Sequence, residues 1–166
     1  MTTEVSRLLE GAAKAITSVR YCWLVTEAKS TGVHARPMGC VLPFPHENNW
    51  TVRFVTNGRS RKAADIRRVA KVGLVFQQNA DDAFVVLTGT ATLLEQPSRV
   101  RQLWRQAYDA YFPTEADRAN AAFAEVSVER MELWIRGVTP EPFGLHPTVL
   151  ERDSRGTWRL SDLEAA

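Results

Sequence analysis

The stretch FVTNGRSRKAADIRR, residues 54–68, joins a predicted strand to a predicted helix and carries a concentration of positive charge. The preceding residues are β-like, Asn57-Gly58 is a turn signal, and the pattern becomes helical from about Ser60. Five of the chain's 21 Lys+Arg residues lie within ten positions here. This cluster is either the solvated face of a surface helix or part of an anion-binding site.

The first turn of the predicted helix favours the anion site. Ser60 has the position and side chain of an N-cap, and the backbone N–H groups that follow it lack intrahelical acceptors. Arg61 and Lys62 place two cations at the positive end of the helix dipole, an unfavourable arrangement that a bound phosphate would balance. The other cations are interpreted separately: Arg67 and Arg68 as a solvated face, and Arg59 as undecided.

Two residues outside the helix extend this candidate site. Arg36 lies in a strand of apolar or small residues, where an arginine is either paired, directed at a ligand, or simply on the surface. Thr56 ends the strand before the turn and places a hydroxyl in the same neighbourhood. Together with the helix turn, these side chains would offer a phosphomonoester several donors and positive charges.

The periodicity of the whole chain predicts an α+β fold. Residues 5–16 have the spacing of an amphipathic helix, and Gly89 in mid-strand predicts a bulge or a close backbone approach. Pro37 predicts an edge or bulged position, and the β-pattern slips near Arg130. Strands are predicted at 19–28, 33–44, 50–56, 71–78, 83–95 and 124–137, helices from Ser60, over 97–112 and over 113–123, and a closing hairpin around Arg155-Gly156. Short connections favour antiparallel neighbours in one domain, 1–166, whose sheet is long enough to close into a barrel.

Composition excludes several classes of function. The 166 residues are 45% hydrophobic and 24% charged, and a net charge of +2 does not favour a general nucleic-acid binder. Cys22 and Cys40 lack the spacing of a zinc site or a disulfide framework and are predicted to be free, buried thiols. The N-terminal segment has no apolar core typical of a signal peptide, and no apolar run is long enough to span a bilayer, so we expect a cytoplasmic protein without membrane contact.

Four segments, in this order, resemble one known family. They are ARPMGCV (35–41), VRFVTNGRSRKAADIRR (52–68), VVLTGTATLLE (85–95) and the LW…Y…YFP helix (103–113). They are similar to the pyridoxamine-phosphate-oxidase-like FMN-binding split barrels, in particular the general stress protein branch, over about residues 5–136. The resemblance implies a mainly antiparallel split β-barrel with flanking helices. It also implies bound FMN, a homodimer that holds the flavin at its interface, and oxidoreductase activity with NAD(P)H as a plausible electron donor.

The resemblance also assigns cofactor-binding residues. It places Arg36 at the FMN phosphate or ribityl chain, and it places Phe84 near the isoalloxazine ring. The remaining assignments are Pro37 and Met38 beside Arg36, Val55 and Thr56 at the flavin, and Ser60, Arg61 and Lys62 at the phosphate. Trp104 and Trp134 are candidates for an aromatic side chain supplied by the partner subunit, although each is equally well interpreted as a core or interface aromatic.

The C-terminal region departs from the true pyridoxamine phosphate oxidases. Their Arg-Leu-His-Asp-Arg-type signature has no counterpart here, since GLHPT (144–148) keeps only Leu145-His146, so the resemblance does not predict oxidation of vitamin B6. His146 either faces the flavin pocket or is structural. Two alternatives to an oxidoreductase stay open: a non-catalytic flavin-binding stress protein, and a split barrel that binds haem or a deazaflavin. The histidines available to haem are His34, His46 and His146.

Overall fold

Eight antiparallel strands form the centre of the protein, in a computed structural model that describes residues 2–30, 32–40, 44–45 and 49–161. In chain order the strands are β1 (Tyr21–Glu27), β2 (Val33–Gly39), β3 (Thr51–Asn57), β4 (Lys71–Gln78), β5 (Ala83–Leu94), β6 (Ala121–Ile135), β7 (Thr148–Arg152) and β8 (Trp158–Leu160). The helices are α1 (Thr3–Thr17), α2 (Arg61–Arg68), α3 (Pro97–Leu103) and α4 (Glu115–Ala119), with a 3-10 helix at Gln106–Ala110. The predicted α+β class and antiparallel sheet are confirmed.

The strand order leaves an opening between β2 and β3. The sheet runs β2-β1-β4-β5-β6-β7-β8, while β3 pairs with β6. The long strand β6 pairs with β5 along most of its length, with β3 through its first half and with β7 through its second half. Within the described residues, β2 is paired only with β1 and β3 only with β6. The opening between these two strands is the place where a ligand can enter.

Strand β6 contains a bulge between the part that pairs with β3 and the part that pairs with β7. Thr88 pairs with Arg130 but Gly89 pairs with Val128, so β6 has one extra residue at this point. A Cβ atom on Gly89 would lie 2.2 Å from the carbonyl oxygen of Ser127, so only glycine fits this close approach. The predicted glycine bulge and the predicted slip near Arg130 are therefore one feature, and both are confirmed.

The predicted N-terminal helix, the edge position of Pro37 and the closing hairpin are also confirmed. Helix α1 buries its apolar side, including Leu8, Ala12 and Ile16, in the main core. That core is continuous from α1 to Trp158 in β8 and includes Phe54 and Phe76. No helix in the described ranges is long and apolar enough to cross a membrane.

The predicted helix over 97–112 is wrong in its middle. Helix α3 ends at Leu103, and Trp104 takes an extended conformation before the 3-10 helix begins. The indole ring of Trp104 packs edge-on against Tyr108 and Phe112, with ring centroids 5.7 Å and 5.5 Å away, and its Nε1 donates to Asp109. These tertiary contacts outweigh the helical spacing.

Three boundaries also differ from the predictions. Strand β2 ends at Gly39 rather than at residue 44, with residues 41–43 outside the described part of the chain. Strand β6 begins at Ala121 rather than at residue 124, because its first residues pair with the end of β3. The short helix predicted over 113–123 is confined to α4.

Candidate functional site

A cavity of about 720 Å³ lies at the opening between β2 and β3. The end of β2, the end of β3, the first turn of α2 and the 3-10 helix contribute its walls, together with the start of β1. Its lining residues are Arg20, Tyr21, Pro37, Met38, Gly39, Cys40, Val55, Thr56, Asn57, Lys62, Ala107, Tyr108, Ala110, Tyr111 and Phe112. The volume is within the range of about 300–1,000 Å³ that is usual for small-molecule sites.

The polar wall of the cavity contains groups without protein partners. The Oγ1 atom of Thr56 is buried, and no hydrogen-bond partner for it lies within the described residues. Lys62 is half-buried, and no carboxylate in the described structure forms an ion pair with it. Burial, and secondly the charge of Arg36, hold the pKa of Lys62 below its ordinary value. An anionic or strongly accepting ligand would satisfy both groups.

The turn before α2 brings Lys62 to this wall. The Oδ1 atom of Asn57 accepts from the backbone N–H of Arg59 at 2.8 Å, and Ser60 Oγ accepts from the N–H of Ala63 at 3.3 Å. Ser60 is therefore the N-cap, as predicted, and α2 begins at Arg61. Ser60 and Arg61 do not line the cavity, and Arg61 is exposed at its edge of the helix.

The two later arginines of α2, Arg67 and Arg68, contact residues outside the helix. Arg67 Nη2 donates to the carbonyl oxygen of Gly58 at 2.9 Å and also pairs with the carboxylate of Glu95. Arg68 Nη1 donates to Glu27 Oε1 at 3.0 Å. Both residues are exposed, as the interpretation as a solvated face predicts, and their contacts also join α2 to residues at the ends of neighbouring strands.

Arg36 belongs to a buried polar cluster, which we call the Asp65 cluster and which consists of Thr26, His34, Arg36 and Asp65. Arg36 Nη1 donates to Thr26 Oγ1 at 2.7 Å, and Arg36 Nη2 lies 3.2 Å from Asp65 Oδ2. The same carboxylate oxygen lies 2.9 Å from both Thr26 Oγ1 and His34 Nδ1. Arg36 keeps further N–H groups that these contacts do not use.

The carboxyl group of Asp65 is stabilised as an anion. Its residue is 5% exposed, and this burial acts to raise the pKa. Hydrogen bonds from His34 and Thr26, and the neighbouring positive charges, outweigh burial, so the pKa of Asp65 lies below its ordinary value. The sequence analysis missed Asp65, since nothing in the local pattern shows that three strand residues converge on it.

The predicted aromatic residues lie outside the cavity. Trp104 packs behind the cavity wall in a second apolar cluster with Tyr108, Phe112 and Phe123. Phe84 and Trp134 are opposite each other on β5 and β6, and neither lines the cavity. Their roles at the flavin stay predictions, because a partner subunit is needed to test them.

The histidines are dispersed. His34 is part of the Asp65 cluster, His146 is exposed, and His46 lies outside the described residues. No group of three His, Cys, Asp or Glu side chains arranged for a metal ion is present in the part of the chain that the structure describes.

Comparison with known proteins decides the family. The model of the family described as "Pyridoxamine 5'-phosphate oxidase like" matches residues 9–139, which is most of the chain. The chain belongs to the pyridoxamine 5'-phosphate oxidase-like family. The resemblance inferred from the sequence is therefore confirmed, and a search of curated sequences gives no significant match.

Solved structures confirm the split-barrel fold of this pyridoxamine 5'-phosphate oxidase-like protein. A pyridoxamine 5'-phosphate oxidase-related, FMN-binding protein from Nostoc punctiforme has a TM-score of 0.72 and 15% identity, with 97% of each chain covered. A protein related to general stress protein 26, from Clostridium acetobutylicum, has a TM-score of 0.70 and 15% identity, with 90% of this chain and 96% of that chain covered. PhzG from Burkholderia lata, in complex with tetrahydrophenazine-1-carboxylic acid, has a TM-score of 0.69 and 17% identity, with 95% and 90% covered.

The cavity contains part of the site predicted from the sequence. The predicted residues that line it are Pro37, Met38, Val55, Thr56 and Lys62. Arg36 lies behind this wall, close enough to Lys62 to affect its pKa. Arg20 and Tyr21 were not predicted as site residues, nor were Tyr108 in the 3-10 helix and Tyr111 directly after it, although both of these tyrosines belong to the LW…Y…YFP segment of the family resemblance.

Proposed function

We propose that this protein binds FMN in the cavity between β2 and β3 and acts as an FMN-dependent oxidoreductase. The proposal rests on two groups in the wall of a cavity of about 720 Å³: the Lys62 cation, which has no carboxylate partner in the described structure, and the buried Thr56 hydroxyl, which has no hydrogen-bond partner there. Family membership and the N-capped start of α2 support it.

The residues present fit a phosphorylated, planar ligand. Lys62, the neighbouring Arg61 and the first-turn N–H groups of α2 would hold the phosphate, while the Thr56 hydroxyl would hydrogen-bond the ligand body. Arg36, fixed by the Asp65 cluster, adds positive charge behind the wall. Tyr108 and Phe112 supply an apolar wall that excludes water. The flavin, when bound, would supply hydride and electron transfer, so this chain's part is binding, orientation and electrostatics.

The absorption spectrum of the protein as purified tests the proposal. We expect flavin bands, release of FMN on denaturation, and reconstitution of the stripped protein by FMN but not by riboflavin, because the proposed contacts are to the phosphate. A haem or deazaflavin spectrum would contradict the FMN assignment. Turnover of NADPH or NADH with an electron acceptor then tests catalysis. Rates no faster than those of free FMN would favour the non-catalytic flavin-binding alternative.

A second copy of the chain is the partner we propose. Side chains on the face of β1 and β2 that borders the cavity are apolar and unusually exposed: Trp23 at 50%, Val33 at 64% and Tyr21 at 49%. Strand register places Pro37 directly opposite Trp23 on this face. A contiguous exposed apolar surface of this kind is typical of an interaction site, and homodimers most often use such self-complementary surfaces.

Substitution of Trp23 by glutamate is expected to weaken the homodimer, because the variant places a charge in the centre of the apolar face. Sedimentation equilibrium should give twice the chain mass for the wild type and a concentration-dependent shift towards the monomer for the variant. Lys29→Glu, at an exposed residue beyond the end of β1, is the control and should leave the mass unchanged. A monomeric wild type would exclude the dimer.

A further inference from the structure

Two thiols lie together in the wall of the cavity. Cys22, on β1, is 1% exposed, and Cys40 directly follows the last residue of β2 and lines the cavity. Their Sγ atoms are 3.8 Å apart. Cys22 is opposite Met38 in the strand register, and Cys40 lies two positions after Met38, just beyond the end of β2. Both cysteines are free thiols, as predicted from the sequence, but only Cys22 is buried as predicted.

We propose that Cys22 and Cys40 form a redox-active thiol pair, in which a peroxide that enters the cavity oxidises Cys40 and Cys22 then closes an intramolecular disulfide. In the first step the Cys40 thiolate attacks one peroxide oxygen, the O–O bond breaks, and Cys40 becomes a sulfenic acid as hydroxide leaves. In the second step the Cys22 sulfur attacks the Cys40 sulfur, the S–O bond breaks, and the hydroxide leaves as water with the thiol proton. Two thiols and one hydrogen peroxide thus give one disulfide and two waters.

The environments of the two thiols assign these different roles. Cys22 is buried beside another thiol, and both effects, the hydrogen bond with Cys40 first and burial second, raise the pKa of Cys22 far above its ordinary value. Burial keeps Cys22 out of reach of an oxidant that enters the cavity, so the sulfur that Cys22 can attack is that of the neighbouring Cys40. Cys40 is only partly buried and faces the cavity, so it is the thiol that a small oxidant reaches first.

The end of β2 is suited to closure of the bond. The sulfur atoms must approach from 3.8 Å to the length of about 2.0 Å that a disulfide requires. Gly39 is the last β2 residue paired with β1, so the backbone of Cys40 is not held by the described strand ladder. Closure would draw this part of the cavity wall towards β1. Oxidation and ligand binding would therefore affect each other, as coupled equilibria must.

Treatment of the purified full-length protein with hydrogen peroxide tests the proposal. We expect the number of free thiols to fall from two to none. The intact mass should decrease by about 2 Da, because two hydrogens are lost, and return after reduction. The chain should stay a monomer on a non-reducing denaturing gel, because the bond forms within one chain. Retention of both thiols, a disulfide between chains, or oxidation of Cys40 to the sulfinic acid with Cys22 still reduced would each overturn the proposal.

Two variants separate the roles of the thiols. In Cys22→Ser the sulfenic acid of Cys40 has no resolving thiol, so it should accumulate and be trapped by dimedone. In Cys40→Ser the buried Cys22 should stay reduced under the same treatment. Circular dichroism checks that each variant is folded. If Cys22→Ser does not fold, Cys40→Ser and the wild-type mass still test the proposal. Rapid oxidation of Cys22 in the absence of Cys40 would contradict the assignment of Cys40 as the thiol that is oxidised first. These readouts detect thiols and not flavin, so failure of this proposal and failure of the proposed function can be distinguished.

Discussion

Replacing Arg61 and Lys62 together by alanine is expected to weaken FMN binding by roughly 10²–10⁴-fold while leaving the protein folded. Each charge-assisted hydrogen bond to a phosphate contributes about 1.5–3 kcal/mol, and the variant removes two such donors. Lys62 should account for the larger share, because it is half-buried in the cavity wall, whereas Arg61 is exposed and its charge is screened by solvent. Fluorescence titration of the stripped protein with FMN measures the loss.

Two controls test whether the loss of FMN affinity comes from contacts to the phosphate group. The double variant Arg7→Ala with Lys14→Ala removes the same net charge from the exposed side of α1 and should bind FMN as the wild type does. Riboflavin has no phosphate, so its much weaker binding should be the same for the wild type and for the variant with alanine at 61 and 62. An unchanged FMN affinity in that variant would show that the phosphate is held elsewhere.

Local sequence patterns predicted most of the strands because those strands alternate cleanly. The bulge at Gly89 was visible as a glycine in mid-strand combined with a slip of the pattern near Arg130. The interrupted helix was not visible, because the apolar spacing over 97–112 stays helical through Trp104. The helix is interrupted because the indole ring packs against two later aromatic rings. The spacing of apolar residues along the sequence does not show such contacts.

The candidate site was predicted where its signal is local. Ser60 and Lys62 belong to a short strand-turn-helix motif, so the motif alone indicated an N-capped helix with a cation in its first turn. Features built from distant segments were missed. Asp65 is 39 residues from Thr26, and the thiol pair is 18 residues apart. Strand register brings the two thiols together, and packing of α2 against the sheet brings Asp65 to Thr26. A sequence without known register or packing shows these groups only as isolated residues.

Substitution of Asp65 by asparagine is expected to destabilise the protein by about 3–5 kcal/mol. Asparagine keeps the size of the side chain but removes the charge, so the guanidinium of Arg36 loses its buried counter-ion. His34 and Thr26 lose the same carboxylate as hydrogen-bond partner. The cluster joins α2 to β1 and β2, so its loss should also loosen the helix that carries Lys62. Urea unfolding at neutral pH measures the change in the free energy of unfolding.

A matched control and the pH dependence distinguish a buried charge cluster from ordinary ion pairs. Glu27→Gln removes the exposed carboxylate that pairs with Arg68, and it should cost only about 0–1 kcal/mol. Because the pKa of Asp65 is lowered by folding, its carboxylate contributes stability that is complete above the ordinary value of 3.8 and is lost as pH falls through the lower folded value. The difference between wild type and Asp65→Asn should therefore shrink as pH falls below about 4. A difference that persists at the lowest pH would mean that the amide disturbs packing, and the electrostatic account would fail.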